Sequence, residues 1–155
     1  MKRRVFLKKS LIGGAMALTA GYGLLRSVVA TALEWPKTVF DQETEADAVK
    51  ALFGDTPVVE SADVVIKAPL QAENGAVVPI KVTTERADAE SIAIMVEKNP
   101  VPYITSVNLG QGSSGFYSAR IKMGETSKVS CYVKAGNEVL MAAQEIKVTV
   151  GGCGG

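Results

Sequence analysis

The chain has no histidine in 155 residues and only two cysteines. Without imidazole there is no His-based catalytic triad, no His metal site and no acid or base that ordinarily works near neutral pH. Two cysteines cannot build a disulfide scaffold or a four-cysteine zinc or iron–sulfur centre. The longest apolar stretch near the start, Leu11 to Leu25, is too short and too rich in Gly and Thr for a comfortable membrane span. The glycine-rich loop Gly110-Gln111-Gly112-Ser113-Ser114-Gly115 has no Lys-Ser/Thr ending and opens no helix, so it reads as a hairpin connection and not a phosphate cradle. No carboxylate pair stands out as a glycosidase or protease site, and Glu85, Asp88 and Glu90 read as a solvated charged loop. What is present is a globular composition, 47% hydrophobic and 21% charged, in a length that suits one domain.

Charge is unevenly distributed. Lys2, Arg3, Arg4, Lys8, Lys9 and Arg26 precede the small-residue run Val28-Val29-Ala30-Thr31-Ala32, and no acid lies among them. A basic stretch, an apolar stretch and an A-x-A-type site in this order form an export signal over residues 1–32. Arg3-Arg4 followed by x-Phe-Leu-Lys resembles a twin-arginine signal, with Lys2 where Ser or Thr is usual. Cleavage is expected after Ala32, with Ala30 the alternative. The remaining chain keeps 11 basic and 16 acidic groups, a net charge of −5. That balance argues against nucleic acid and against an anionic membrane surface.

Residues 33–150 read as one all-β domain, an immunoglobulin-like antiparallel β-sandwich with one short helix. Thr44 to Phe53 is the helix: Thr44 can cap it, Asp47 has the capping-box spacing, Ala48, Val49, Leu52 and Phe53 form its apolar face, and Gly54 stops it. Seven strands follow: Val64 to Ala68, Val77 to Thr84, Ser91 to Glu97, Tyr103 to Leu109, Phe116 to Met123, Ser127 to Lys134 and Glu138 to Val150. Glu73-Asn74-Gly75, Asn99-Pro100-Val101-Pro102, Gly124-Glu125 and Gly136-Asn137 punctuate them. Pro79 points to an edge position or a bulge.

The two cysteines have opposite settings. In the strand Ser127 to Lys134, Val129, Cys131 and Val133 share one face, so Cys131 is expected as a small buried hydrophobe. Cys153 stands in Gly151-Gly152-Cys153-Gly154-Gly155, where nothing can pack, and residues 151–155 are expected to be a mobile tether. From Val150 the thiol reaches roughly 10 Å at about 3.3–3.6 Å per residue. No Lys, Arg or His in the tail lowers its pKa, so Cys153 reads as a carried group and not as an enzyme's own nucleophile.

A twin-arginine-type leader, a helix before a small sandwich and the Gly-Gly-Cys-Gly-Gly tail together resemble the SoxY family, as do Thr44 to Gly54 and the segment APLQAENGAVVP from Ala68 to Pro79. That family supplies the sulfur-carrying subunit of SoxYZ complexes in periplasmic thiosulfate oxidation. The resemblance implies a covalent carrier and no enzyme: Cys153 as the attachment site for thiosulfate-derived sulfur, Gly151, Gly152, Gly154 and Gly155 as a swinging arm, and no cofactor. It implies a SoxZ-like subunit as tight partner, and a c-type cytochrome complex and a sulfate-releasing hydrolase as transient ones.

Two other readings stay open at this level. Gly154-Gly155 matches the ending of ubiquitin-like thiocarboxylate carriers, though activation there needs ATP and the strand-rich pattern fits that fold poorly. An exported, non-catalytic sandwich cross-linked through Cys153 is the alternative. A lipid anchor is not expected, since a lipoprotein Cys follows its signal directly and a prenylated Cys needs three residues after it.

Overall fold

The computed structural model describes residues 37–149. The leader with Arg3 and Arg4, its cleavage site, and Cys153 with its four glycines lie outside the described residues. Among the described residues two helices, α1 (Lys37–Phe40) and α2 (Glu45–Phe53), precede nine strands: β1 (Val58–Glu60), β2 (Val64–Lys67), β3 (Gln71–Ala72), β4 (Val78–Thr84), β5 (Ala89–Val96), β6 (Tyr103–Asn108), β7 (Phe116–Ile121), β8 (Ser127–Ala135) and β9 (Glu138–Val148). One sheet runs β1-β9-β8-β5-β6, with β3 also on β9; the other runs β2-β4-β7. The fold is the expected all-β immunoglobulin-like sandwich.

The seven expected strands are present, and two short ones join them. β1 and β3 both lie parallel to β9, β1 beside its start and β3 beside its end. Segments of three and two residues carry no readable alternation, and a parallel partner leaves no hairpin signal. The Pro79 expectation of an edge position holds locally: β4 is the middle strand of its sheet, paired to β2 and β7, but Pro79 lies past the end of the β2 ladder. Proline is tolerated there because the β2 ladder stops at Lys67↔Lys81, so Pro79 faces only Arg120 of β7. Register shifts fall instead within β5.

Helix α2 forms as its caps dictate. The Thr44 hydroxyl accepts from the Asp47 amide at 3.2 Å and donates to Asp47 Oδ2 at 2.6 Å. Gly54, at φ +66°, closes the helix by donating to the Lys50 carbonyl. The short helix α1 is an addition to the sequence reading.

Side-chain alternation divides the interior in two. Ile92, Ile94 and Val96 of β5 meet Val129, Cys131 and Val133 of β8 and Val78, Ile80 and Val82 of β4 between the sheets. The opposite side of the larger sheet is buried too. Ala93, Met95 and Tyr132 pack there under Val39 and Ala48 of the helices. This is why β5 reads as the unbroken apolar run Ile92 to Val96 and why Tyr132 is only 5% exposed. The Tyr132 hydroxyl donates to Glu45 Oε1 at 2.7 Å, and Lys128 Nζ lies 3.6 Å from Glu45 Oε2, so helix and sheet are joined by polar contacts as well as apolar ones. The Phe40 and Tyr103 rings add an edge-to-face contact at 4.7 Å.

Candidate functional site

The sequence singles out a thiol-bearing segment that begins where β9 ends, so the residues that hold that end define what the segment is attached to. β9 pairs with β8 on one side up to Ser127↔Ile146, and the Val148 amide then donates to Thr126 Oγ1 at 3.0 Å. On the other side β3 takes over. Gln71 and Ala72 pair with Lys147 and Val148, the Lys147 amide donates to the Leu70 carbonyl, and the Ala72 carbonyl accepts from both the amide and the hydroxyl of Thr149. Backbone hydrogen bonding therefore reaches the last described residue.

The turn after β3 tightens this clamp. Asn74 Oδ1 accepts from the Ala76 amide at 2.9 Å, an Asx-type turn. It carries Gly75 against β9 and the segment just after β7, and the Met123 amide donates to the Gly75 carbonyl at 2.7 Å. A Cβ at position 75 would stand 2.4 Å from the Met123 carbonyl oxygen and 2.9 Å from Val148 Cγ1, so only glycine admits this approach. Asn99 braces the neighbouring turn by donating to the Lys122 carbonyl and accepting from the Gly124 amide. The segment Ala68 to Pro79, which the sequence marks only by likeness, is thus the clamp on the strand that leads to Cys153.

Cys131 lies far from this role. It is fully buried in the inter-sheet core and unpaired, which agrees with the expectation of a structural cysteine. Burial pushes its thiol from an ordinary 9.0 up to about 12. Two results are expected. A thiol reagent at pH 8 leaves Cys131 unmodified in the folded protein and modifies it after denaturation, as peptide mapping would read. Because the folded thiol stays neutral to a higher pH than the unfolded one, its stabilising contribution is full below pH 9.0 and is lost as pH rises toward 12. A Cys131→Ala variant should show a flatter alkaline loss of stability over that range.

The charged loop is corrected in one respect. Asp88 and Glu90 are exposed but paired. Arg86 forms two 2.9 Å hydrogen bonds to Asp88 and lies 3.4 Å from Glu138, while Lys134 lies 3.8 Å from Glu90. The Arg86 hydrogen bond holds the Asp88 carboxyl below its usual range. Arg86 also lines a cleft of about 240 Å³ with the Gly110 to Gly115 loop, but its charge is already met by Asp88 and Glu138. The loop gives no anion cradle, but the expected hairpin connection is corrected: it leads from β6 at the edge of the larger sheet to β7, which pairs with β4 in the smaller one, so the two strands it joins do not pair with each other. Among the described residues no group of three or more Asp, Glu, Cys or His side chains could hold a metal ion.

Fold and site define a class: a small immunoglobulin-like sandwich without an assembled catalytic constellation among its described residues, whose last strand is clamped just before a cysteine-bearing segment. The family model described as "Sulfur oxidation protein SoxY" matches residues 49–153. A solved structure, the sulfur carrier protein SoxY from Chlorobium limicola f thiosulfatophilum, is similar at 37% identity and a TM-score of 0.63, over 68% of this chain and 96% of that one. The chain belongs to the SoxY family. An engineered protein (14% identity, TM-score 0.41, 57% of this chain and 21% of that one) and a PKD domain of an M14-like peptidase from a Thermoplasmatales archaeon (16%, 0.37, 61% and 96%) are more distant and carry no argument. No curated protein matches.

Proposed function

We propose that this protein is an exported sulfur carrier that holds thiosulfate-derived sulfur covalently on Cys153 and presents it to separate enzymes. The observation that carries the reading is that the family match runs through to Cys153, across the clamp on β9 that precedes it. The related Chlorobium protein is a sulfur carrier by name. The twin-arginine-type leader over residues 1–32, with Arg3 and Arg4, supports delivery of the folded protein to the periplasm.

In this reading the sandwich of residues 33–150 is the handle and Gly151, Gly152, Gly154 and Gly155 are the arm. The Cys153 thiol and thiosulfate join through a new S–S bond, losing one proton and two electrons to a c-type cytochrome complex. Water then cleaves the terminal S–S bond under a hydrolase, releasing sulfate and leaving a persulfide. Neither step asks this chain for a catalytic group, in keeping with the absence of histidine. A SoxZ-like subunit is the expected tight partner. The test is intact-protein mass spectrometry of the natively purified protein without reductant, before and after exposure to thiosulfate and an extract of the source organism. Reducible adducts of sulfur and thiosulfonate mass on Cys153 are expected. A permanent disulfide with no such adducts would instead mark a cross-linked structural sandwich.

A further inference from the structure

The helices pack on the outer side of the larger sheet, whereas the outer face of β2-β4-β7 is exposed. Its inward side chains, Val64, Val78, Ile80, Val82 and Ile121 among them, belong to the core. Its outward set includes Lys67 on β2, Lys81 on β4 and Arg120 on β7, with Lys122 one step further along, and contains no Asp or Glu. Lys67 stands directly across from Lys81, and like charges so placed repel. None of these four cations forms an ion pair with a described residue; Arg86, Lys128 and Lys134 meet carboxylates, while Lys37, Lys50, Lys98 and Lys147 are also without one but are not gathered on a single sheet face. This happens in a chain that after Ala32 carries 16 acids against 11 bases. Large apolar side chains share the face: Val65 (45% exposed) and Phe116 (49%) at one end, Val77 (51%) at the other. The Val77 amide donates to the Asn74 carbonyl, in the turn that seats Gly75 against Val148, so this end adjoins the root of the arm.

We propose that this basic face is a docking surface for an acidic, partly apolar surface of a folded partner protein, and, resting on the carrier reading, that it brings the enzymes serving Cys153 to the arm. Charge complementarity selects the occupant. The acidic remainder of the chain repels a nucleic acid or an anionic bilayer, and the apolar side chains at both ends call for a protein's mixed surface.

The test compares the full protein with a face variant, Lys67→Gln/Lys81→Gln/Arg120→Gln, and a control variant, Lys37→Gln/Lys50→Gln/Lys98→Gln, which loses the same charge elsewhere. All three are measured against immobilised poly-L-glutamate and against phosphatidylglycerol vesicles over a salt series, with circular dichroism checking the fold. The rate of Cys153 adduct formation in extract with thiosulfate is measured alongside, and iodoacetamide labelling checks that the thiol is intact. The expected result is salt-sensitive poly-glutamate binding that falls roughly 10-fold or more in the face variant and little in the control, with a similar loss in adduct rate. Equal loss in both variants, no loss in either, or preference for the vesicles overturns the docking proposal. If the unaltered protein forms no adduct, the carrier reading fails, and the poly-glutamate comparison still decides the face.

Discussion

Replacing Cys153 by Ser is expected to abolish every sulfur adduct while leaving folding untouched. The reason is chemical and local. A hydroxyl forms no persulfide or thiosulfonate, and the second thiol cannot substitute because Cys131 is fully buried. Its thiol is also held neutral, with a pKa pushed up to about 12. Thermal or denaturant unfolding of Cys153→Ser should therefore match the parent within about 0.5 kcal/mol, the range of substitutions away from packed features. The measurement is intact-mass analysis after incubation with thiosulfate and extract, with Cys131→Ala as the companion. Adducts persisting on Cys153→Ser, or vanishing on Cys131→Ala, would defeat the assignment. The same pair separates the thiocarboxylate alternative, which needs only Gly154-Gly155 and survives loss of the thiol.

The second large effect concerns the clamp. Gly75→Ala adds a single methyl group, but its nearest neighbour is the Met123 backbone oxygen at 2.4 Å, which cannot swing aside as a side-chain tip does. Either the segment after β7 or the β3 turn must shift, and Val148 Cγ1 at 2.9 Å makes β9 part of that shift. A loss of about 1–3 kcal/mol is expected, the range of overpacking in a filled core. Amide exchange at Val148 and Thr149 should accelerate more than at Cys131 in the centre of β8. Gly110→Ala serves as the control, since a Cβ there meets nothing within 4 Å and should leave stability almost unchanged. If the two variants behave alike, Gly75 is not a close-contact position and the clamp is not rigid.

Particular residues mark how far the sequence was readable. Cys131 was legible because strict alternation put it with Val129 and Val133, and those three do share the inter-sheet core. Thr44, Asp47 and Gly54 were legible because caps act over a few residues; only the detail differed, Asp47 reaching the Thr44 hydroxyl itself. Asn74-Gly75 was legible as a turn but not as the piece that seats against Val148, since that contact joins segments far apart in the chain. Pro79 was legible as an edge position but not as part of a middle strand, since an edge is a property of one backbone position and β2 ends before reaching it.

The local chemistry was set by the sequence alone: seven of the nine strands among the described residues, the helix with its caps, the buried character of Cys131, and a lone thiol between two glycine pairs with no group of its own to activate it. These follow from side-chain period, backbone freedom and ionisation, which depend on near neighbours. Tertiary structure alone decided three things. It laid the two-residue strand β3 parallel to the end of β9, covered the Ser130 and Tyr132 face of β8 with helices, and gathered Lys67, Lys81 and Arg120 from three strands onto one acid-free face. Each depends on a register between distant strands, and register sets which side chains meet, a relation that no stretch of the chain contains by itself.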